Sequence, residues 1–334
     1  MKRNLCFLAL LLVGLMASKN RAVAQTLPPM FVSELVSNTW DQIEGFVFDA
    51  NKNMYVWEKN GYVWKVDSNG TKAATPLLDI RAEVGGWRDH GLNGFALDPN
   101  FMVNGYIYLH YTVDRHHLMK FGTPQYNANT DEYFNATIIR VTRYQVDVAN
   151  NNFNTIVPGS RFVLIGSTKK NGIPLLHESH SGGQLCFGDD GTLLISSGDG
   201  ASYNVVDVGS NNDTYWVQGL ADTIIRPAEN VGALRSQLVN CLAGKILRID
   251  PMTGAGIPGN PFYNPADPFE AKSRVWSLGL RNPFRMTILR GSGNADPSAV
   301  DPGTLYIGDV GWTLWEDLHT ADAPGQNFGW PLYE

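Results

Sequence analysis

Cysteine is nearly absent from this chain, with three in 334 residues. The first, Cys6, falls in a segment that reads as a removable leader, which leaves only Cys186 and Cys241. Disulfides therefore do not carry the fold. One bridge between that pair is chemically permitted, but Cys186 stands in the apolar stretch Gln184-Leu185-Cys186-Phe187, which equally suits an inert thiol. Helical periodicity is scarce as well. A long apolar run is also missing, because Leu5 to Met16 is too short to span a bilayer and nothing similar follows it. No membrane span is expected. Basic excess is lacking too: 26 Lys and Arg face 32 Asp and Glu. Without Lys2, Arg3, Lys19 and Arg21 the remainder carries about −10, which argues against nucleic acid and anionic lipid as partners.

The amino terminus has the make-up of an export signal. Lys2 and Arg3 precede the apolar run, and Ala22-Val23-Ala24 supplies a small-residue cleavage site. Residues 1–24 are expected to be removed, with Gln25 as the mature start of a secreted or periplasmic protein. Residues 25–334 then form one large domain.

Short runs of Val, Ile, Tyr, Trp and Phe recur, divided by Asn-Gly, Asp-Gly and Asp-Pro turns. Gly45–Asp49, Asn53–Trp57 and Tyr62–Asp67 make one unit. Gly94–Pro99, Tyr106–Leu109 and Ala136–Val141 make a second. Gln184–Gly188, Leu193–Ser196 and Gly244–Asp250 make a third, and Arg285–Ile288 with Thr304–Asp309 a fourth. Repeated antiparallel units predict an all-β fold of the β-propeller kind, whereas a β-sandwich would not predict the repeat. Polar insertions at Asp114–Asn135, Asn150–Ser179 and Ala201–Asn240 are long enough to be functional or mobile loops. Four units fall short of a closed ring, so an incomplete amino-terminal portion is expected.

Three segments carry candidate chemistry. In Arg274–Arg285 a fixed cation, Arg281, stands beside the amide of Asn282, with Pro283 ending the strand; a planar anionic or quinonoid ligand suits that pair. Arg-Asn-Pro also occurs in plain surface turns. His177-Glu178-Ser179-His180-Ser181-Gly182-Gly183 puts an imidazole beside two glycines, where it could take a proton from a substrate hydroxyl or serve as an ordinary loop histidine. A zinc site at His177 and His180 lacks further ligands of suitable spacing. In Tyr306–Asp317, carbonyls at a glycine-bearing turn followed by carboxylates form the hard-oxygen set that calcium prefers, or simply a turn. Asp199-Gly200 with Asp207 and Asp213 is a second, weaker calcium candidate.

In chain order, Asp89-His90-Gly91-Leu92-Asn93-Gly94, His180–Gly183, Leu280–Pro283, Asp309–Gly311 and Asn327–Pro331 fall at successive strand mouths. With these motifs the chain, from about Val32 to Glu334, resembles the glucose/sorbosone dehydrogenase family of soluble quinoprotein sugar dehydrogenases. The resemblance implies a six-bladed propeller with about four blades present. It implies His180 as general base, Arg281 as the cation polarising the quinone, and Asp89, Arg281 and Asn282 as cofactor contacts. It further implies pyrroloquinoline quinone and calcium as cofactors, with the carbonyls of Gly311 and Trp312 on the metal. The substrate would be a sugar or related alcohol, and the electron acceptor is unknown. This chain departs from the family pattern in having Asp89 where Gln or Glu is usual, Trp312 where a smaller or amide side chain is common, and Ser179 where some members carry Asp. The family's later basic residues would fall after Glu334. A non-catalytic propeller that binds carbohydrate or protein is the alternative, and a calcium-dependent lactonase-like hydrolase is a third class.

Overall fold

The structure, a computed structural model, describes residues 28–37, 39–149, 153–313 and 315–333. The leader with its cleavage site, Cys6, Gln25 and Leu314 lie outside the described residues. Contacts divide the chain into two units, Met1–Asn38 and Thr39–Glu334. In the first, the described residues 28–37 form no helix or strand.

Four antiparallel sheets follow one another along the second unit. The first is built from β1 (Ile43–Phe48), β2 (Met54–Glu58), β3 (Tyr62–Val66) and β4 (Leu78–Asp79). The second holds β5 (Leu92–Leu97), β6 (Tyr106–Thr112), β7 (Thr137–Gln145) and β8 (Phe162–Ile165), with β9 (Ile173–Leu175) also paired to β7. The third holds β10 (Leu185–Phe187), β11 (Leu193–Ser197), β12 (Lys245–Ile249) and β13 (Val275–Leu278). The fourth holds β14 (Pro283–Ile288), β15 (Leu305–Asp309) and β16 (Asp317–Ala321). The first strands of successive sheets touch: β1 meets β5, β5 meets β10 and β10 meets β14. This is a β-propeller arrangement of four blades.

Local chemistry explains the repeat. Asp49, just past β1, accepts the N–H groups of Asn51 and Asn53 at 2.8 and 2.9 Å and the hydroxyl of Tyr55 on β2 at 3.2 Å. Asp98, just past β5, does the same for Asn100 at 2.9 Å and Tyr108 on β6 at 3.0 Å. One carboxylate thus closes the turn and ties the first strand to the second.

Alternation along each strand supplies the packing between sheets. Tyr55, Trp57 and Val63 of the first sheet bury against Leu92, Phe95 and Leu109 of the second. Tyr108, Ile139 and Val141 turn to the other face and meet Leu185, Leu193 and Ile195. Leu194, Ile246 and Trp276 then face Met286, Leu305 and Ile307 of the fourth sheet. Each such burial contributes about 1.5–3 kcal/mol. Apolar side chains remain exposed on the terminal sheets: Phe46 on β1 is 61% exposed and Leu318 on β16 is 75% exposed.

Cys186 and Cys241 are both free thiols, and burial pushes Cys186 up to about 12. The insertions are more ordered than loops. They carry the helix Arg115–Lys120, strands β8 and β9, and the helix Trp216–Ala221. Arg115 explains part of this, donating to the Ala136 carbonyl at 2.8 Å and to Asp222 at 2.5 Å, so that two insertions lock together. No helix among the described residues is long and apolar enough to cross a membrane.

Candidate functional site

Antiparallel pairing puts the start of each first strand beside the end of its second. Leu185 pairs with Ile195, and Pro283 with Asp309. The segments before β10 and β14 therefore meet the segments after β11 and β15 at one end of the sheets. His180 lies before β10, Asp199 after β11, Arg281 and Asn282 before β14, and Asp309 closes β15.

His180 is 3% exposed and has φ of 60°. That left-handed conformation costs a non-glycine residue on the order of 1–3 kcal/mol, and such residues cluster at functional sites. Its main-chain N–H donates to Asp89 Oδ2 at 3.1 Å, and its Nδ1 lies 2.8 Å from Asp199 Oδ1. An added Cβ on Gly198 would collide with the His180 carbonyl oxygen, so only glycine permits this approach. Among the described residues nothing hydrogen-bonds to His180 Nε2.

Asp199 is fully buried. Burial pushes its carboxyl up, but the His180 imidazole, the Ala201 N–H and the Trp330 indole together outweigh this and hold it below the usual range. The indole donates at 2.7 Å and Ala201 at 2.8 Å. With Asp199 ionised, Nδ1 of a neutral His180 carries the proton and Nε2 is the acceptor.

Asp309 organises the neighbouring pair. Its two oxygens accept the main-chain N–H groups of Arg281 at 2.9 Å and Asn282 at 2.6 Å. Burial pushes its carboxyl up to about 7, with Asp199 and Asp317 adding to the rise and the two N–H groups opposing it. Asn282 Oδ1 accepts from Gly182 N–H at 2.9 Å, which ties the fourth sheet to the histidine loop. The Arg281 guanidinium donates to the Val310 carbonyl at 2.9 Å and lies 5.4 Å from the Trp330 ring.

Arg281, Asp309, Gly311, Asp317 and Trp330 line a cavity of about 210 Å³. Trp312 donates its indole N–H to the Tyr203 carbonyl at 3.1 Å and meets Trp330 edge-on, with centroids 6.5 Å apart. The structure thus joins Asp89, His180, Arg281 and Asn282 in one hydrogen-bonded cluster and sets Gly311 and Trp312 beside it. Asp309 and Asp317 bring two carboxylates to this cavity, but both Asp309 oxygens already accept main-chain N–H groups and the Arg281 guanidinium shares the space, so only Asp317 and main-chain carbonyls would be left to meet a cation.

Other candidates do not assemble. His177 Nδ1 bonds the Ser179 hydroxyl at 2.8 Å while its Nε2 faces Asp213 at 3.4 Å, so His177 and His180 do not converge on zinc. The second calcium set is overturned. Asp199 serves His180, Asp207 accepts the Gly209 N–H, and Asp213 accepts from Ser202 and Asn204. Among the described residues no group of three or more His, Cys, Asp or Glu is placed to hold a metal.

The sequence reading missed the roles of Asp199 and Asp309 around the site. A signal was present: Ser197-Gly198-Asp199-Gly200 and Ile307-Gly308-Asp309-Val310-Gly311 repeat a Gly-Asp pair at the end of the second strand in two repeats. Arg235 had no comparable signal. Buried inside an insertion, it donates to the carbonyls of Asp199 and Gly200 at 3.0 Å.

The family model described as glucose/sorbosone dehydrogenase matches residues 40–334. This chain belongs to that family. Among curated relatives of this dehydrogenase-family chain, mouse Hedgehog-interacting protein is 27% identical over 252 residues, covering 72% of this chain and 29% of that protein. The HIPL2 protein of Arabidopsis thaliana is 25% identical over 289 residues, covering 78% and 35%. The chain thus spans about a third of the length of these relatives. Among solved structures, the PQQ-bound aldose sugar dehydrogenase of Streptomyces coelicolor aligns with TM-score 0.59 at 22% identity, covering 91% of this chain and 66% of that one. The soluble aldose sugar dehydrogenase of Escherichia coli aligns with TM-score 0.55 at 18% identity, covering 87% and 63%. At these identities the shared property is the fold.

Proposed function

We propose that this chain is part of a secreted or periplasmic quinoprotein oxidoreductase that oxidises a sugar or related alcohol, with hydride passing to pyrroloquinoline quinone. The observation that carries the reading is the Asp199–His180 pair, closed by hydrogen bonds onto Arg281 and Asn282. When bound, the quinone supplies a two-electron acceptor and calcium a Lewis acid. His180 Nε2 takes the substrate hydroxyl proton as the carbon gives up hydride, and Asp199 steadies the imidazolium that forms. Arg281 supplies a fixed positive charge where negative charge develops on the acceptor. Asp89 and Asn282 would line the cofactor's side, and the carbonyls of Gly311 and Trp312 would hold the calcium. Membership of the family and the fold of the sugar dehydrogenases support this reading. The exposed faces of β1 and β16 support a six-bladed ring in which further sheets cover Phe46 and Leu318.

The test adds calcium and pyrroloquinoline quinone to the full-length protein and follows dye reduction with a panel of aldoses. His180→Ala is expected to lose roughly 100-fold or more of the turnover. Full activity in that variant would remove the base assignment. A wild-type protein with no quinone-dependent signal would favour the second reading, a propeller that binds protein or carbohydrate, which the name of the Hedgehog-interacting relatives supports.

A further inference from the structure

A second cavity, of about 840 Å³, opens between the turn before β9, the segment after the helix Trp216–Ala221, and the short helix Ala271–Arg274. Its volume falls within the range of small-molecule sites. Leu220, Ile224, Ile225, Leu242 and Phe269 give it apolar walls. One charged group is set among them. Arg274 is 5% exposed; its Nε donates to the Gly254 carbonyl at 2.8 Å, and its guanidinium lies 5.8 Å from the Phe269 ring. Among the described residues no carboxylate comes within ion-pair distance of Arg274, and its two terminal nitrogens make no hydrogen bond.

The other charges of the cavity are already engaged. Arg226 pairs with Glu229 at 2.8 Å, and Glu270 accepts from Asn264 at 2.5 Å and faces Lys272 at 3.3 Å. Lys170 sits on the exposed rim. Asp267, whose carboxylate caps the Phe269 N–H at 3.0 Å, attracts Arg274 only from beyond ion-pair range. Burial pushes Arg274 down to about 10, so it is still a cation at neutral pH. A buried guanidinium with open donors is costly to a protein unless something accepts from it. Its planar fork matches a carboxylate, two N–H groups to two oxygens.

We propose that this cavity binds an organic carboxylate with an apolar body, the carboxylate on Arg274 and the body against Leu220, Ile224, Ile225 and Phe269. The site is separate from the His180 cluster, so it stands whether or not the dehydrogenase reading does.

Calorimetry and thermal unfolding of the full-length protein test it with octanoate, octanol and inorganic phosphate as probes. Octanoate is expected to bind one to one and to raise the melting temperature, as any ligand of the folded state does. Octanol and phosphate are each expected to bind at least about tenfold more weakly, since each lacks one half of the recognition. Arg274→Gln should lower octanoate affinity by about tenfold or more and leave octanol unchanged. Ala271→Trp, which fills the cavity and keeps the guanidinium, should abolish both; it decides the matter if the Gln variant fails to fold. Absence of octanoate binding, equal affinity for octanoate and octanol, phosphate binding as tight as octanoate, or octanoate binding undisturbed in Ala271→Trp would each overturn the proposal.

Discussion

At the residue scale, His180 is held by three unrelated devices. Asp89 fixes its main chain, the missing Cβ of Gly198 makes room for its carbonyl, and Asp199 fixes its ring. Only the last acts on the tautomer. Asn at position 199 keeps the volume but removes the charge that holds the proton on Nδ1. Asp199→Asn is therefore expected to lower turnover by roughly 100- to 10,000-fold, with KM little changed and the pH profile displaced. Nitrogen-detected NMR of the histidines should show the proton leaving Nδ1. A variant with wild-type turnover and an unaltered His180 signal would show that Asp199 is only a packing group. The imidazole was legible only as a candidate, because glycines beside a histidine mark a tight loop whether or not the ring does chemistry. Its partner was not, since Asp199 in Gly-Asp-Gly reads equally well as a turn.

Strand β12 shows the limits of pattern reading at the element scale. Its sequence, Lys-Ile-Leu-Arg-Ile, reads as a strand with charged residues that ought to meet water. Instead Lys245 and Arg248 are fully buried. Lys245 donates to the carbonyls of Arg235, Ser236 and Ala243, and Arg248 pairs with Asp190 at 2.7 Å and lies 5.3 Å from the Trp276 ring. The insertion Ala201–Asn240 supplies two of the three carbonyls. Removing one member of a buried pair leaves the other charge uncompensated. Asp190→Ala is expected to cost about 3–5 kcal/mol in urea unfolding, while Asp190→Asn, which keeps an acceptor, costs less. Equal stability of Asp190→Ala and the wild type would mean that solvent reaches Arg248.

For the whole molecule, buried histidines tie stability to pH. His90 and His110 are 1% and 0% exposed, and burial pushes both down to about 4. The unfolded chain takes up these protons near pH 6.5, the folded chain only near 4. Between those values acid favours the unfolded chain, so stability present above pH 6.5 drains away towards pH 4, by up to about 3 kcal/mol for each histidine. The Asp309 carboxyl, pushed up to about 7, acts in the opposite sense over the same range, so the histidine part is read by difference: urea midpoints at pH 7, 5.5 and 4.5 should fall less, or rise more, with acid in His110→Leu than in the wild type. The same pH dependence in His110→Leu and the wild type would contradict the burial of that ring.

The inner strands, their turns and their fourfold repetition followed from the sequence, because alternation and Asx turns are set by residues a few positions apart; β4, β8, β9 and β16 did not, being short or set in segments that read as loops. Four sheets stand where the four units were read. Which carboxylate holds which cation or imidazole was decided by tertiary structure. Asp199 reaches His180 and Asp309 holds Arg281 and Asn282 because antiparallel pairing brings the start of a sheet's first strand beside the end of its second, and Arg274 faces an apolar cavity because two insertions and the chain before β13 fold around it. Those pairings depend on distances across space, and local pattern carries no record of them.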